Sequence, residues 1–291
     1  MKLFCMILLG ALFALSDGLP DTRWTYKTVD GKELRMDVFL PENYDRKIAS
    51  TGGVPEGWGG FPVFVVFHGG SWRVGTPDMH YPDCEYWRSR GMIAASVDYR
   101  LKDRDKIDVP LECVKDAKSA IRFLRANADR LKIDSEKIVA AGGSAGGQLA
   151  AATAMVPGAN DDCFDLSISC VPNAVILTNP YWVTGCPPEL SPPNFVREGL
   201  PPFITFLGDE DSAIPVDGLK SFHEALKAAG NDSEFFVGKG GKHGFCNGCN
   251  KMNPFFYWSL ELEDKFLVRH DILSGVSNVQ RPDGVSLVQE R

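Results

Sequence analysis

A serine set among glycines is the residue of this sequence best suited to covalent chemistry. Ser144 lies in the segment Gly-Gly-Ser-Ala-Gly-Gly, and the pattern Gly-x-Ser-x-Gly falls on Gly142, Ser144 and Gly146. A strand-like apolar run at 138–141 precedes this segment, and an Ala- and Leu-rich, helix-like run follows it. In such a context the serine occupies a sharp turn between strand and helix, and the glycines permit positive φ angles and close approach of a substrate. We therefore predict that Ser144 is a nucleophile.

A serine hydroxyl attacks efficiently only when a base takes its proton and a further group fixes the tautomer of that base. Two downstream segments offer these groups. Asp209 and Asp211 follow the strand-like run 203–207, and His243 lies in a glycine-rich segment after the last strand-like run. Because the carboxyl ends of parallel strands meet at one edge of a sheet, we expect these side chains near the serine.

The alternation of strand-like and helix-like runs from residue 61 onward predicts the fold class. Continuous apolar runs are typical of strands buried on both faces, and apolar residues at helical spacing predict amphipathic helices. We expect an α/β fold with a mostly parallel, doubly wound sheet and helices on both faces. The predicted strands are 61–67, 92–97, 138–141, 174–177, 203–207 and 234–237, and the predicted helices are 109–128, 216–229 and 255–273.

Two other segments are defined by turn residues. Asp30-Gly31 separates the alternating runs 26–29 and 34–40, which predicts a β-hairpin. The segment 181–202 is rich in proline and is not expected to form regular structure. It is either a surface excursion or a wall or lid of the pocket.

The N-terminal segment of the 291-residue chain differs from the rest. Lys2 precedes an apolar run at 3–15 that is followed by small residues, which is the composition of a secretory signal peptide. We predict a leader at 1–18, one α/β domain at 19–274 and a loose tail at 275–291. The protein is then expected to be secreted or periplasmic, with no stable membrane insertion after the leader is removed.

The charge and the cysteines limit the possible partners. A net charge of −7 without a basic cluster argues against a nucleic-acid partner. One of the eight cysteines lies in the leader, and the odd number left means that at least one is unpaired or is paired between chains. Cys163 with Cys170 and Cys246 with Cys249 are the short-loop candidates for disulfides in an exported protein. The spacing of His243 with the second pair also resembles a zinc site, but an exported dithiol more often oxidises, so we expect no metal and no cofactor.

The motifs together resemble α/β hydrolases of the esterase/lipase group related to hormone-sensitive lipase, nearest the secreted carbohydrate-ester and feruloyl-esterase-like branch. The chain order of serine, aspartate and histidine is the order found in α/β hydrolases. The resemblance covers residues 30–273 and is carried by His-Gly-Gly-Ser-Trp at 68–72, Val-Asp-Tyr-Arg-Leu at 97–101, the serine segment at 142–147, the turn at 208–215 and His-Gly-Phe at 243–245.

The resemblance implies a role for each catalytic residue. Ser144 corresponds to the nucleophile and His243 to the base. Asp211 corresponds to the acid, in preference to Asp209, because the family uses the later carboxylate of this turn. The relatives often carry aspartate where Gly143 stands, and this departure favours the carbohydrate-esterase type.

The resemblance also implies the groups around the substrate. The oxyanion hole would consist of the backbone N–H of Ala145 with those of Gly70 and Ser71, where Ser71 replaces a glycine common in the family. Trp72 is either a stacking surface for a sugar or aryl group or part of the core.

We therefore expect a secreted serine esterase that acts through an acyl-enzyme on small acyl esters of carbohydrates, with acetyl or feruloyl as the acyl group. An amide-cleaving relative with the same triad, such as an exopeptidase or a kynurenine formamidase-like enzyme, is the alternative. A hydrolase-like binding module is the non-enzymatic alternative. The sequence does not specify the oligomeric state.

Overall fold

A computed structural model describes residues 18–44 and 59–290 of the chain. Residues 1–17 of the predicted leader lie outside these residues, as do residues 45–58 between the predicted hairpin and the first predicted buried strand. The predicted strands and helices and the candidate site residues all lie within the described ranges.

Eight strands form one sheet in the order β1-β2-β4-β3-β5-β6-β7-β8. The strands from β3 onward pair in parallel, whereas β2 pairs antiparallel with β1 and β4. This confirms the mostly parallel sheet, with an antiparallel hairpin added at one edge. The strands are β1 Thr22–Val29, β2 Lys32–Phe39, β3 Phe61–Phe67, β4 Ile93–Val97, β5 Ile133–Gly143, β6 Ala174–Thr178, β7 Phe203–Gly208 and β8 Ser233–Gly238.

Helices cover both faces of the sheet, as the sequence predicted. One apolar core lies between the sheet and helices α3, α5 and α6, and the other lies between the sheet and helices α1 and α7. The helices are α1 Tyr81–Ser89, α2 Lys102–Asp105, α3 Leu111–Ala126, α4 Ala128–Leu131, α5 Ala145–Met155, α6 Val216–Ala228 and α7 Pro254–Arg269. Across the described ranges, every helix is too short or too polar to cross a bilayer.

The main difference from the sequence prediction is helix α1, which the sequence analysis did not assign. Its composition is polar and aromatic, so helical periodicity is weak, yet Cys84 and Trp87 are fully buried under β4. Tertiary packing rather than propensity therefore forms this helix.

The proline-rich segment 181–202 contains two 3₁₀ turns, Pro188–Leu190 and Pro192–Phe195. It is tied to the domain by specific hydrogen bonds. The Gln148 amide donates to the Leu190 carbonyl, and the Arg197 guanidinium donates to carbonyls at the end of α5. These contacts favour a fixed surface excursion over a lid.

The segment after residue 274 was expected to be a loose tail, but it packs against the domain. The Lys239 N–H donates to the Gln289 carbonyl, and Glu290 forms an antiparallel bridge with Gly238. The Trp258 indole also donates to the Glu290 carboxylate. The tail therefore extends the β8 edge of the sheet.

The turn between β5 and α5 depends on the absence of side chains at two glycines. A Cβ at Gly146 would lie 1.9 Å from the Phe67 carbonyl oxygen at the end of β3. A Cβ at Gly142 would lie 2.3 Å from the Gly146 carbonyl oxygen. The first turn of α5 therefore rests directly on the backbone of β3.

We predict that Gly146→Ala destabilises the protein, because its methyl group would displace the backbone of β3. The free energy of unfolding should fall by about 3 kcal/mol, the upper range for an overpacked core. Chemical denaturation measures this change. Gly218→Ala is the matched control: Gly218 lies in α6 with open space around its Cβ position, so alanine should be neutral or stabilising there. Equal denaturation midpoints for wild type and Gly146→Ala would refute the prediction.

Candidate active site

Ser144 occupies a strained backbone conformation at the turn between β5 and α5. Its φ is 53° and its ψ is −120°, a region that costs about 1–3 kcal/mol for a residue other than glycine. Three backbone hydrogen bonds hold it there. The Ser144 N–H donates to the Thr178 carbonyl at 3.0 Å, and the Ser144 carbonyl accepts from Tyr181 at 2.9 Å and from Gln148 at 3.2 Å. The strain projects the hydroxyl out of the turn and into a cleft that Ser144 lines.

The structure brings Ser144, Asp211 and His243 together in one hydrogen-bonded chain. Nε2 of His243 lies 2.9 Å from the Ser144 hydroxyl, and Nδ1 lies 2.8 Å from Oδ2 of Asp211. The His243 side chain is 35% exposed, whereas that of Asp211 is fully buried. The carboxylate thus fixes the ring from the protein side, and the ring is open to the cleft.

The two carboxylates of the turn after β7 have different partners. Oδ1 of Asp211 accepts from the N–H groups of Ala213 and Ile214, which leaves Oδ2 for His243. Asp209 instead accepts from the N–H of Gly240 at 2.6 Å. Asp211 is therefore placed to orient His243. Asp209 instead ties the turn after β7 to the loop that carries His243.

The loop after β3 supplies backbone groups beside the nucleophile. Gly69, Gly70 and Ser71 line the cleft, and a Cβ at Gly69 would lie 3.3 Å from the Ser144 Cβ. Among the described residues, the N–H groups of Gly70, Ser71 and Ala145 have no hydrogen-bond acceptor. Their free donors suit an anion that forms next to the serine.

A neutral buried histidine supports this loop from below. His68 is fully buried, stacks on Tyr99 at 4.4 Å, and donates from Nδ1 to the Gly69 carbonyl at 2.7 Å. Burial lowers the pKa of His68 to about 4. Its ring therefore stays uncharged at neutral pH and acts as a structural support of the loop.

Trp72 does not have the position that a substrate-stacking role requires. It is 3% exposed, and its indole N–H donates to the Gln148 side chain at 3.1 Å. Its ring lies in the core beside Tyr181. Packing in the core therefore accounts for Trp72, whose backbone φ is 58°.

Asn179 is a cleft residue that the sequence analysis did not identify. It is 2% exposed, has a φ of 37°, and accepts at Oδ1 from the N–H of Gly244, next to His243. Its backbone N–H also donates to the Phe206 carbonyl at 2.7 Å. An asparagine directly after a buried strand was the available signal, because this residue type tolerates positive φ.

The cleft has a volume of about 260 Å³. The catalytic residues form one side. Four parts of the chain form the other side: the segment before α1, α1 itself, the loop after His243, and α7. The sequence did not predict this side of the cleft. Its lining residues are Met79, His80, Asp83, Cys246, Asn247 and Ser259.

The candidate metal and disulfide residues do not assemble in the structure. In the described part of the chain, His243, Cys246 and Cys249 do not form a cluster with metal-ligand spacing. The seven described cysteines are all free thiols, including both proposed short-loop pairs. Burial raises the pKa of Cys246 well above its usual value, which suits a structural thiol.

One histidine–carboxylate cluster has suitable spacing, at Asp232, Glu234 and His270. It lies partly exposed at the edge of the domain. Arg269 already pairs with Glu234, and His270 pairs with Asp232, so ion pairing explains the cluster.

Comparison with solved structures gives an extensive match. Esterase 2 of Thermogutta terrifontis, in a structure described as phosphorylated by paraoxon, superposes with a TM-score of 0.81 and is 38% identical. The match covers 89% of this chain and 96% of that chain. A second structure of the same enzyme, described as propionate-bound, gives a TM-score of 0.80 at 37% identity, with 89% of this chain and 97% of that chain covered.

Sequence comparison gives a consistent result. The family model BD-FAE matches residues 54–178. Esterase LipC of Mycobacterium tuberculosis is 27% identical over 218 residues, which is 63% of this chain and 53% of the relative. A probable isoprenylcysteine alpha-carbonyl methylesterase of Arabidopsis thaliana is 28% identical over 244 residues, which is 72% of this chain and 48% of the relative. The chain thus spans about half the length of these two curated relatives.

We predict that Asp211→Asn lowers kcat/KM for 4-nitrophenyl acetate by at least about 10³-fold, because an amide in this place favours the wrong tautomer of His243. Asp209→Asn is the matched control: its amide oxygen still accepts from Gly240, so kcat/KM should stay within about tenfold of wild type. Steady-state kinetics measures both values. A large loss in Asp209→Asn with little loss in Asp211→Asn would reverse the assignment.

We also predict a pH dependence of stability from His68. Its native pKa is about 4 and its ordinary value is 6.5, so the unfolded state binds more protons between these two pH values. The free energy of unfolding should therefore fall as the pH falls through this window, by at most about 2 kcal/mol from pH 7 to pH 5 through this residue. Burial also lowers the pKa of His223 to about 3. Protonation of His223 in the unfolded state therefore lowers the free energy of unfolding further as the pH falls.

Urea denaturation at pH 7, 6 and 5 tests the contribution of His68. The variant His68→Gln removes the titrating ring, so its stability should depend less on pH than that of wild type. An unchanged or steeper dependence in the variant would contradict the prediction.

Proposed function

This chain belongs to the α/β-hydrolase esterases related to hormone-sensitive lipase, and on that premise we propose that it hydrolyses short-chain acyl esters of carbohydrates through an acyl-enzyme. The observation that carries the proposal is the chain of hydrogen bonds from Asp211 through His243 to Ser144, at 2.8 and 2.9 Å. Each of these distances is short enough for direct proton transfer or orientation.

The reaction follows from the positions of these atoms. The Ser144 hydroxyl attacks the ester carbonyl while Nε2 of His243 takes its proton, and Asp211 stabilises the imidazolium that forms. The N–H groups of Gly70, Ser71 and Ala145 offer hydrogen bonds to the oxyanion. The proton on His243 then passes to the leaving alcohol, and a water molecule activated by the same ring releases the acid.

Two observations support a short acyl group. The cleft holds about 260 Å³, which is small for an ester with a long alkyl chain. The Thermogutta terrifontis enzyme, which is similar to 89% of this chain, has a structure described as propionate-bound. Acetyl and propionyl esters are thus the first substrates to test, with feruloyl esters as the larger alternative.

Several polar side chains at the cleft support a hydroxylated alcohol. Apart from Met79 and Cys246, the lining residues are glycines or carry polar side chains. The match to the family model BD-FAE and the glycine at position 143 are consistent with this choice.

Secretion is part of the proposal and is supported by the sequence alone. Lys2 and the apolar run at 3–15 have the composition of an export signal. An exported enzyme would encounter carbohydrate esters outside the cell.

A substrate panel with Ser144→Ala tests the proposed function. Wild type should hydrolyse acetylated oligosaccharides and 4-nitrophenyl acetate, and the variant should lose at least about 10⁴-fold in kcat. Ser167→Ala, which changes an exposed serine in a distant loop, should match wild type. 4-Nitrophenyl decanoate and formyl-kynurenine complete the panel. Wild-type rates in Ser144→Ala, or faster turnover of the amide than of every ester, would overturn the proposal.

A further inference from the structure

A histidine–aspartate pair that is not part of the catalytic chain lines the same cleft. Nδ1 of His80 lies 3.2 Å from Oδ2 of Asp83, and both residues line the cleft together with Ser144 and His243. Their side chains are 17% and 19% exposed, so each is largely covered but still reaches the cleft. The proposed reaction assigns no task to either residue.

The pair is held rigidly by the segment that carries it. The Ser96 hydroxyl donates to the Pro77 carbonyl at 2.8 Å, and the Tyr81 hydroxyl donates to Asp37 at 2.5 Å. Pro82 packs under Gly248 of the loop after His243, where an added Cβ would lie 2.7 Å from the proline ring. The pair therefore has a fixed position relative to the catalytic loop.

A buried carboxyl group lies behind the pair. Glu263 on α7 is 4% exposed and lies next to Ser259, which lines the cleft. Burial raises the pKa of Glu263 well above its usual range, and the nearby Asp83 carboxylate raises it further. The raised pKa favours the neutral form of Glu263, so this side of the cleft offers oxygen atoms for hydrogen bonds.

A pair of this kind matches a hydroxyl group better than other ligand groups. Asp83 presents an acceptor, and His80 presents a ring nitrogen beside it. A hydroxyl both donates and accepts, so it can use both atoms together, and two adjacent sugar hydroxyls can use one each. A cation could use only the carboxylate of Asp83 and would leave the imidazole of His80 without a ligand.

We propose that His80 and Asp83 form a subsite that binds hydroxyl groups of the substrate's sugar part. This proposal rests on the proposed esterase function and specifies which residues select the alcohol. The catalytic chain would act on any small ester that reaches Ser144, whereas this pair selects esters of hydroxylated alcohols.

The kinetic test compares 4-nitrophenyl acetate with 6-O-acetylglucose and acetylcholine. Asp83→Asn and His80→Gln should each raise KM for acetylglucose by on the order of tenfold, the typical effect of losing a hydrogen bond to a charged group. They should change kcat/KM for 4-nitrophenyl acetate by less than about threefold. Asp78→Asn is the matched control, because Asp78 is an exposed acid in the same turn and does not line the cleft.

The outcomes separate the subsite from the esterase function. Equal losses on all three esters would show a structural role, and no loss on acetylglucose would exclude the subsite. A selective loss on acetylcholine would show a cation subsite instead. If wild type cleaved none of the esters, the esterase function itself would fail.

A binding measurement tests the subsite without turnover. In the Ser144→Ala background, saturation-transfer NMR should detect methyl glucoside, and adding Asp83→Asn should weaken its binding by on the order of tenfold. Unchanged binding in the double variant, or binding too weak to detect in Ser144→Ala, would overturn the proposal even if the esterase function holds.

Discussion

The close approach of the Ser144 turn to the end of β3 is the constraint on which the site depends. Gly146 lies against the Phe67 carbonyl and Gly69 lies against the backbone of Gly143, so the nucleophile and the loop after β3 are fixed to each other through main-chain contacts. Main-chain contacts cannot be relieved by a rotamer change, and they hold Ser144 in a backbone region that it would otherwise avoid. The neutral ring of His68 completes this support from below. The burial of apolar side chains in the two cores on either side of the sheet offsets the conformational free energy of the strained turn.

The remaining site residues are collected by the geometry of a parallel sheet. The ends of β6, β7 and β8 lie side by side, and residues that follow β6 and β7 contact the loop after β8 that carries His243. Asn179 accepts from Gly244, Asp209 accepts from Gly240, and Asp211 accepts from His243 itself. The histidine loop is thus fixed at three points along its length. This arrangement places the imidazole at 2.9 Å from the Ser144 hydroxyl without a bound substrate.

The sequence was sufficient for features with strong local signals. The apolar run of β3 and the Asp30-Gly31 hairpin turn fell where they were predicted, and the serine segment lies between a strand and a helix as expected. It was insufficient wherever tertiary contacts decide the structure. The polar sequence of α1 has weak periodicity, so neither this helix nor the His80–Asp83 pair beside it was anticipated. The role of Trp72 stayed open between core and substrate contact, because an aromatic side chain suits either place. The terminal segment packs on β8 through backbone hydrogen bonds, which carry no side-chain signal.

The central claim is that one hydrogen-bonded chain makes Ser144 the reactive nucleophile of this protein. The most direct test is covalent labelling with a fluorophosphonate, followed by peptide mass spectrometry, in wild type and in His243→Ala. The account predicts a single adduct on Ser144 that forms at least about 10³-fold more slowly without the imidazole. An adduct on a different residue, or equal labelling rates for the two proteins, would contradict it.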